Sequence, residues 1–179
     1  MKLTNEILSS IESHADEALA LLTELAQIPA PSNHEERRAE FCLNWLIEKD
    51  DKLITSPGTS PENKFLTPDG YAGATSYGCT SDLAMTRECL IDAAKAAEAL
   101  GTDKDFQKQI KKTLPRLLPY QVGKKGNLQE WFHDWEDQEP QHRHQSHLFG
   151  LYPGHHLSVK ETPELAKACA RTLEIKGDN

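Results

Sequence analysis

No apolar run in this 179-residue sequence approaches the roughly 18 residues that a membrane span requires. Met1-Lys2-Leu3-Thr4-Asn5-Glu6 opens without the apolar core of a secretory leader. Neither a membrane nor export is therefore expected, and the expected location is the cytoplasm. Basic runs are missing too: the formal net charge is −8, and 20 Lys and Arg are interspersed with 28 Asp and Glu. That excludes nucleic-acid binding through a phosphate-tracking patch. Cysteine is scarce, and Cys42, Cys79, Cys89 and Cys169 form no CxxC pair. They read as small buried hydrophobes in a reducing compartment, not as a disulfide framework. Apolar residues make up 37% and charged residues 27%, enough for one lean core and too apolar for a disordered chain.

What the sequence does have is helical periodicity. Ile7, Leu8, Ile11, Ala15, Ala18, Leu22 and Leu25 recur at three- and four-residue steps, the spacing that lines up one helix face. Pro29 and Pro31 end that helix. Ser32 and Glu35 have the spacing of a capping box, opening a second helix with Ala39, Phe41, Cys42, Trp45 and Leu46. Residues 51–80 are rich in Thr, Ser, Pro and Gly, with one short extended candidate at Lys52-Leu53-Ile54-Thr55. Leu83, Thr86, Leu90, Ala93, Ala97 and Leu100 predict a long helix with Gly101 as its left-handed cap. Phe106, Ile110, Leu114 and Leu117 predict another, ended near Pro119. Residues 120–160 form an irregular stretch with half of the aromatics and most of the histidines. Thr162-Pro163-Glu164 opens a last helix, whose apolar face is Leu165, Cys169 and Leu173. The expectation is an all-α fold of helical hairpins with long loops, with an N-terminal helix pair in residues 1–48 and a distinct region over residues 51–179. Lys176-Gly177-Asp178-Asn179 supplies no closing element, so that region is expected to be truncated.

Three loops carry candidate chemistry, because catalytic side chains gather on loops. In Thr55-Ser56-Pro57-Gly58-Thr59-Ser60-Pro61-Glu62-Asn63, two prolines stiffen a run of small residues. Glu62 there is either a carboxylate presented on a rigid loop or an exposed turn residue. In Gln129-Glu130-Trp131-Phe132-His133-Asp134-Trp135 the rings either stack on a sugar whose hydroxyls the carboxylates accept, or fill core. In His142-Arg143-His144-Gln145-Ser146-His147, the readings are a zinc site, a polar pocket for substrate hydroxyls, or packing histidines. The spacing fits familiar zinc patterns poorly, which favours the hydroxyl-binding pocket. His155-His156, after Pro153-Gly154, is a weaker pair.

Three blocks, in their order and approximate spacing, resemble glycoside hydrolase family 95, the α-L-fucosidases. They are Thr59-Ser60-Pro61-Glu62-Asn63 with Pro68-Asp69-Gly70, then Gln121 to Trp131, then His142 to Gly154; Thr80-Ser81-Asp82 at a helix start is also similar to the family. For residues 51–179 the resemblance implies a partial (α/α)6 barrel whose loops shape a sugar pocket. It implies inverting hydrolysis of terminal α-L-fucose on a fucosylated oligosaccharide or glycan, with no metal or other cofactor. Inversion takes an acid at the leaving oxygen and a base acting on water at the opposite face. By this resemblance Glu62 is the general acid, its pKa raised by burial or neighbours. Arg143 and His144 bind sugar hydroxyls, and Glu130, Trp131 and His147, with Gln129, shape the same pocket. The family's base is an asparagine made effective by an aspartate, in blocks not found in this sequence, so this chain by itself is expected to hydrolyse substrate very slowly or not at all. Residues 1–48, through Leu22 to Ser32 and Trp45-Leu46, resemble instead the opening helices of di-zinc metallopeptidases of the aminoacylase and carboxypeptidase type. A metallopeptidase-like protein and a non-catalytic helical remnant are the alternatives.

Overall fold

The computed structural model describes Ala20, residues 46–60 and residues 62–177. Both N-terminal helices of the sequence reading, and the peptidase-like stretch, lie outside the described residues, apart from Ala20, which is helical, and Leu46, which is not. The chain divides into two units between Asn44 and Trp45; the architecture below is that of the second.

It begins with an antiparallel hairpin, β1 (Ile47–Lys49) paired with β2 (Lys52–Ile54). Asp50 and Asp51 make its turn at φ 51° and 62°, left-handed values that suit the twist of a two-residue hairpin and that Asp tolerates. Lys49-Asp50-Asp51, where the composition changes, is thus the tip of a hairpin. β3 (Gly58–Thr59) and β6 (Thr75–Ser76) form a second antiparallel pair. β4 (Phe65–Leu66) lies between β5 (Ala72–Gly73) and β7 (Glu136–Asp137) in a small three-stranded sheet.

These strands correct the all-α expectation. Strands of two or three residues are too short to display a period of two, and their Thr, Ser and Gly content reads as loop. Their pairing is tertiary: Phe65 faces both Gly73 and Asp137.

The helices fall close to where the periodicity puts them. α1 (Thr80–Leu100) buries Leu83, Ala84, Leu90 and Ala97. It ends at Gly101, whose φ of 68° and ψ of 22° let the next N–H groups turn back onto Ala97 and Glu98. Leu100, expected on the buried face, is exposed. α2 (Lys104–Thr113) packs against α1 and buries Ile110. The helix expected to run on to Leu117 changes at Leu114–Arg116 into a 3-10 turn, because Pro115 has no N–H to continue the ladder. The turn delivers the Leu118 N–H to the Leu53 carbonyl at 3.0 Å. α3 (Pro163–Lys176) starts with proline in its first turn, as expected, and buries Ala168, Cys169, Thr172 and Lys176. Leu173 is exposed instead, so the buried stripe is rotated from the expected one.

Among the described residues, two apolar clusters form. One joins Leu128, Leu148 and Leu157 to Ala168 and Cys169 of α3, with Tyr120, Leu151 and Leu165 against it. The other is Phe65, Cys79 and Trp131, flanked by Trp135. Each fully buried large side chain contributes roughly 1.5–3 kcal/mol. Among the described residues no helix is long and apolar enough to cross a membrane.

Candidate active site

The loop between β3 and β4 turns neighbouring side chains in opposite directions. Ser60 and Asn63 are each only 1% exposed, whereas the Glu62 side chain is 56% exposed. Glu62 holds φ at 62°, a left-handed conformation that costs a non-glycine residue about 1–2 kcal/mol and persists where surroundings over-determine it. Those surroundings are visible: Ser60 Oγ donates to Glu130 Oε1, Asn63 Nδ2 lies 3.5 Å from Glu130 Oε2, and Thr59 Oγ1 donates to the Ala74 carbonyl at 2.9 Å.

On the outer side, Arg143 Nη2 donates to Glu62 Oε2 at 2.7 Å, and His144 Nε2 lies 3.7 Å from the same oxygen. The His144 backbone N–H donates to His142 Nδ1 at 3.1 Å, which fixes the turn that presents both side chains. Three residues expected to act together therefore do meet: Glu62, Arg143 and His144. The burial expected of an acid is not what this structure gives Glu62.

Glu130, Trp131 and His147 are placed differently. All are buried, Glu130 at 6% exposure and the other two at 1%. Together with Gln129, Lys124 and Lys176 they line a cleft of about 510 Å³, open solvent in its mouth included; Glu62, Arg143 and His144 do not line it. Lys176 Nζ sits 3.5 Å from Glu130 Oε2 and 3.4 Å from Asp137 Oδ2. His147 Nδ1 is also 3.5 Å from Glu130 Oε2, too long and misdirected for a good hydrogen bond. Burial, then the Lys176 charge, push the His147 pKa down to about 3, so its imidazole is neutral near pH 7. Trp131 presents its ring edge to Phe65 at 5.3 Å and its Nε1 donates to Asp137 Oδ1 at 3.3 Å; Trp135 stacks on Phe65 at 4.3 Å. Of the two readings of this aromatic pair, the structure takes the core one.

Lys176 was missed by the sequence reading, although a signal was there. It follows Cys169 by seven positions and Thr172 by four, on one helix stripe, and lysine is rarely buried without a partner. Asp82 was read only as part of the Thr80-Ser81-Asp82 helix start, with no site role. It sits in the first turn of α1, where burial raises its pKa to about 6 against the opposing effect of the Thr59 N–H bonded to it. Gly58 leaves room for that carboxyl, since a Cβ there would lie 2.5 Å from Asp82 Oδ2. Thr80 closes the arrangement, its Oγ1 donating to the Gln129 carbonyl at 2.6 Å and its N–H to the Glu130 carbonyl at 3.1 Å. The start of α1 thereby ties the Glu62 loop to the Gln129-Glu130-Trp131 block.

The zinc reading of His142, His144 and His147 finds no shared ligand set: His147 turns inward to Glu130 while His144 faces Glu62. Among the described residues, Glu88, Asp92 and His155 are a group with ligand atoms within 4.8 Å of one another. A cation already serves them, because Lys95 Nζ lies 2.9 Å from His155 Nε2 and 3.9 Å from Asp92 Oδ1. His156 joins the same knot, with Nδ1 2.6 Å from Glu88 Oε2 and Nε2 2.6 Å from the Tyr120 hydroxyl. Its work is to fasten two loops to α1.

The structure thus sets an exposed carboxylate between an arginine and a histidine, over a buried layer that holds its loop. Residues 35–179 match the model of the glycosyl hydrolase family 95 catalytic domain, and the chain belongs to that family. It is 44% identical over 140 residues to Alpha-L-fucosidase 2 of Arabidopsis thaliana, covering 77% of this chain and 17% of that protein. It is 38% identical over 112 residues to Probable alpha-fucosidase A of Aspergillus oryzae, covering 59% of this chain and 14% of that one. A protein of the same name from Aspergillus niger is 32% identical over 127 residues. The chain thus spans about one-sixth of the length of these relatives.

Proposed function

We propose that this chain carries the acid side of an inverting α-L-fucosidase site, with Glu62 protonating the leaving oxygen of a terminal α-L-fucoside. The observation that carries the reading is the meeting of Glu62 with Arg143 and His144 across 81 residues of sequence, in a chain of this family. Arginine and histidine donors beside the acid suit sugar hydroxyls, which accept from both. Glu130, Trp131 and His147 serve from beneath, as walls and supports of the loop. The helical hairpin α1–α2 and the exposed Leu100 and Leu173 are in keeping with a part of an (α/α)6 barrel, whose neighbouring helices would cover those faces. The opposite-face base belongs to the asparagine and aspartate blocks of the family.

The test uses leaving groups. In a chain that joins this segment to the family's base blocks, Glu62→Gln is expected to lower hydrolysis of an alkyl α-L-fucoside by about 10²–10⁴, and that of a 2,4-dinitrophenyl fucoside, which leaves without a proton, far less. Equal losses on both, or none, would reject Glu62 as the acid.

A further inference from the structure

We infer that the buried ion pair Glu130–Lys176 is the positioning device of the Glu62 loop: Glu130 and Lys176 act on the sugar through Ser60, Asn63 and Glu62, not by touching it. The inference rests on the acid role proposed above but is tested apart from it.

The geometry runs inward from the surface in three steps. Glu62 projects outward, while Ser60 and Asn63, two positions before it and one after it in sequence, project inward and are 1% exposed. Both converge on one carboxylate. Ser60 Oγ takes Glu130 Oε1, and Asn63 Nδ2 approaches Glu130 Oε2, so the loop is held at two points that straddle the acid. A buried carboxylate serves as such an anchor only if its charge is compensated. The compensating group is Lys176, 3% exposed, whose ammonium lies between Glu130 Oε2 and Asp137 Oδ2. The neutral His147 at 3.5 Å adds no charge. Ser146, next to His147 in the 3-10 turn Ser146–Leu148, has its Oγ 3.5 Å from that of Ser60. The segment bearing Arg143 and His144 is therefore set against the same anchor point as the Glu62 loop. One carboxylate and one ammonium thus register the acid against its two outer partners.

A general acid needs placement to within a fraction of an ångström, and a left-handed Glu62 will not hold that placement by backbone preference. Glu130–Lys176 supplies the constraint, with Lys176 contributed by the last turn of α3. The position of that helix is thereby coupled to the acid.

Nuclear magnetic resonance on the whole chain separates this role from general support. In the wild type, Glu62→Gln is expected to move the Arg143 Nε–H resonance, because the two side chains are paired. In Glu130→Gln and in Lys176→Met the same substitution is expected to leave that resonance in place. Amide exchange over 59–64 is expected to quicken in both variants at least tenfold more than that of the Leu90 region of α1, which reports the global loss of stability; Lys176→Arg is expected to restore both readouts. Uniform acceleration along the chain, or an Arg143 resonance that still follows Glu62 in Lys176→Met, would overturn the proposal. Neither readout requires turnover, so a failure of the fucosidase reading would appear separately, as a Glu62→Gln variant without a leaving-group effect.

Discussion

Two layers of charged residues lie one above the other here, and they differ in what water does to them. The outer pair, Glu62 and Arg143, is 56% and 66% exposed; the inner pair, Glu130 and Lys176, is 5% and 3% exposed. In the outer pair water screens the attraction and the contact has little worth for stability. In the inner pair neither partner can fall back on solvent, so removing one leaves a buried uncompensated charge. Under the proposed function the outer pair exchanges its partner for a substrate, while the inner pair is committed to the fold. That division separates recognition from architecture within a single site.

The largest effect that would break this comparison lies in the inner layer. Lys176→Met is expected to lower unfolding stability by about 3–5 kcal/mol, read from the urea midpoint. A loss within about 1 kcal/mol would make the inner pair equivalent to the outer one. Trp131→Ala, which empties the Phe65–Cys79 cluster, is expected to cost about 3–5 kcal/mol by the same measurement.

The next effect is on pH dependence, where two groups of the inner region oppose one another. The His147 pKa is depressed to about 3, so its contribution is present above pH 6.5 and is lost as pH falls toward 3. The Asp82 pKa is raised to about 6, so its contribution is present below about pH 3.8 and is lost as pH rises through 6. Between pH 4 and 6 the two slopes have opposite signs and nearly cancel. Asp82→Asn removes one of them. Its stability is expected to rise with pH more steeply than that of the wild type, by up to about 1.4 kcal/mol per pH unit in that window. Parallel curves would show that the two groups do not titrate as described.

The smallest effect belongs to the outer layer. Arg143→Ala is expected to change stability by no more than about 1 kcal/mol, with the urea midpoint almost unmoved, while weakening sugar binding. A large stability loss would mean that Arg143 is committed to the fold as well.

The two layers were also unequally legible. Glu62, Arg143 and His144 stand in short, distinctive blocks, and recognising those blocks was enough to bring the three together. Long elements were legible for a different reason: α1 carries its pattern over six turns and ends on a glycine made for the purpose. The inner layer was hidden because its partners come from three distant segments, at Ser60, Glu130 and Lys176, and no local pattern reports a tertiary ion pair. Trp131 illustrates the limit. Its neighbours in sequence suit a sugar platform as well as a core, and only Phe65, 66 residues away, decides between them. Apart from β2, which falls on the extended candidate Lys52-Leu53-Ile54-Thr55, the short strands escaped for the same reason, each being made by a partner rather than by its own residues.

The central claim is that sugar is met at the outer layer and not in the cleft beneath. The most direct measurement is titration of the chain with L-fucose, followed by backbone and side-chain resonances. Shifts centred on Glu62, Arg143 and His144 are expected, with their loss in Arg143→Ala. Shifts centred on Lys124, Trp135 and Lys176 instead, unaffected by Arg143→Ala, would contradict it.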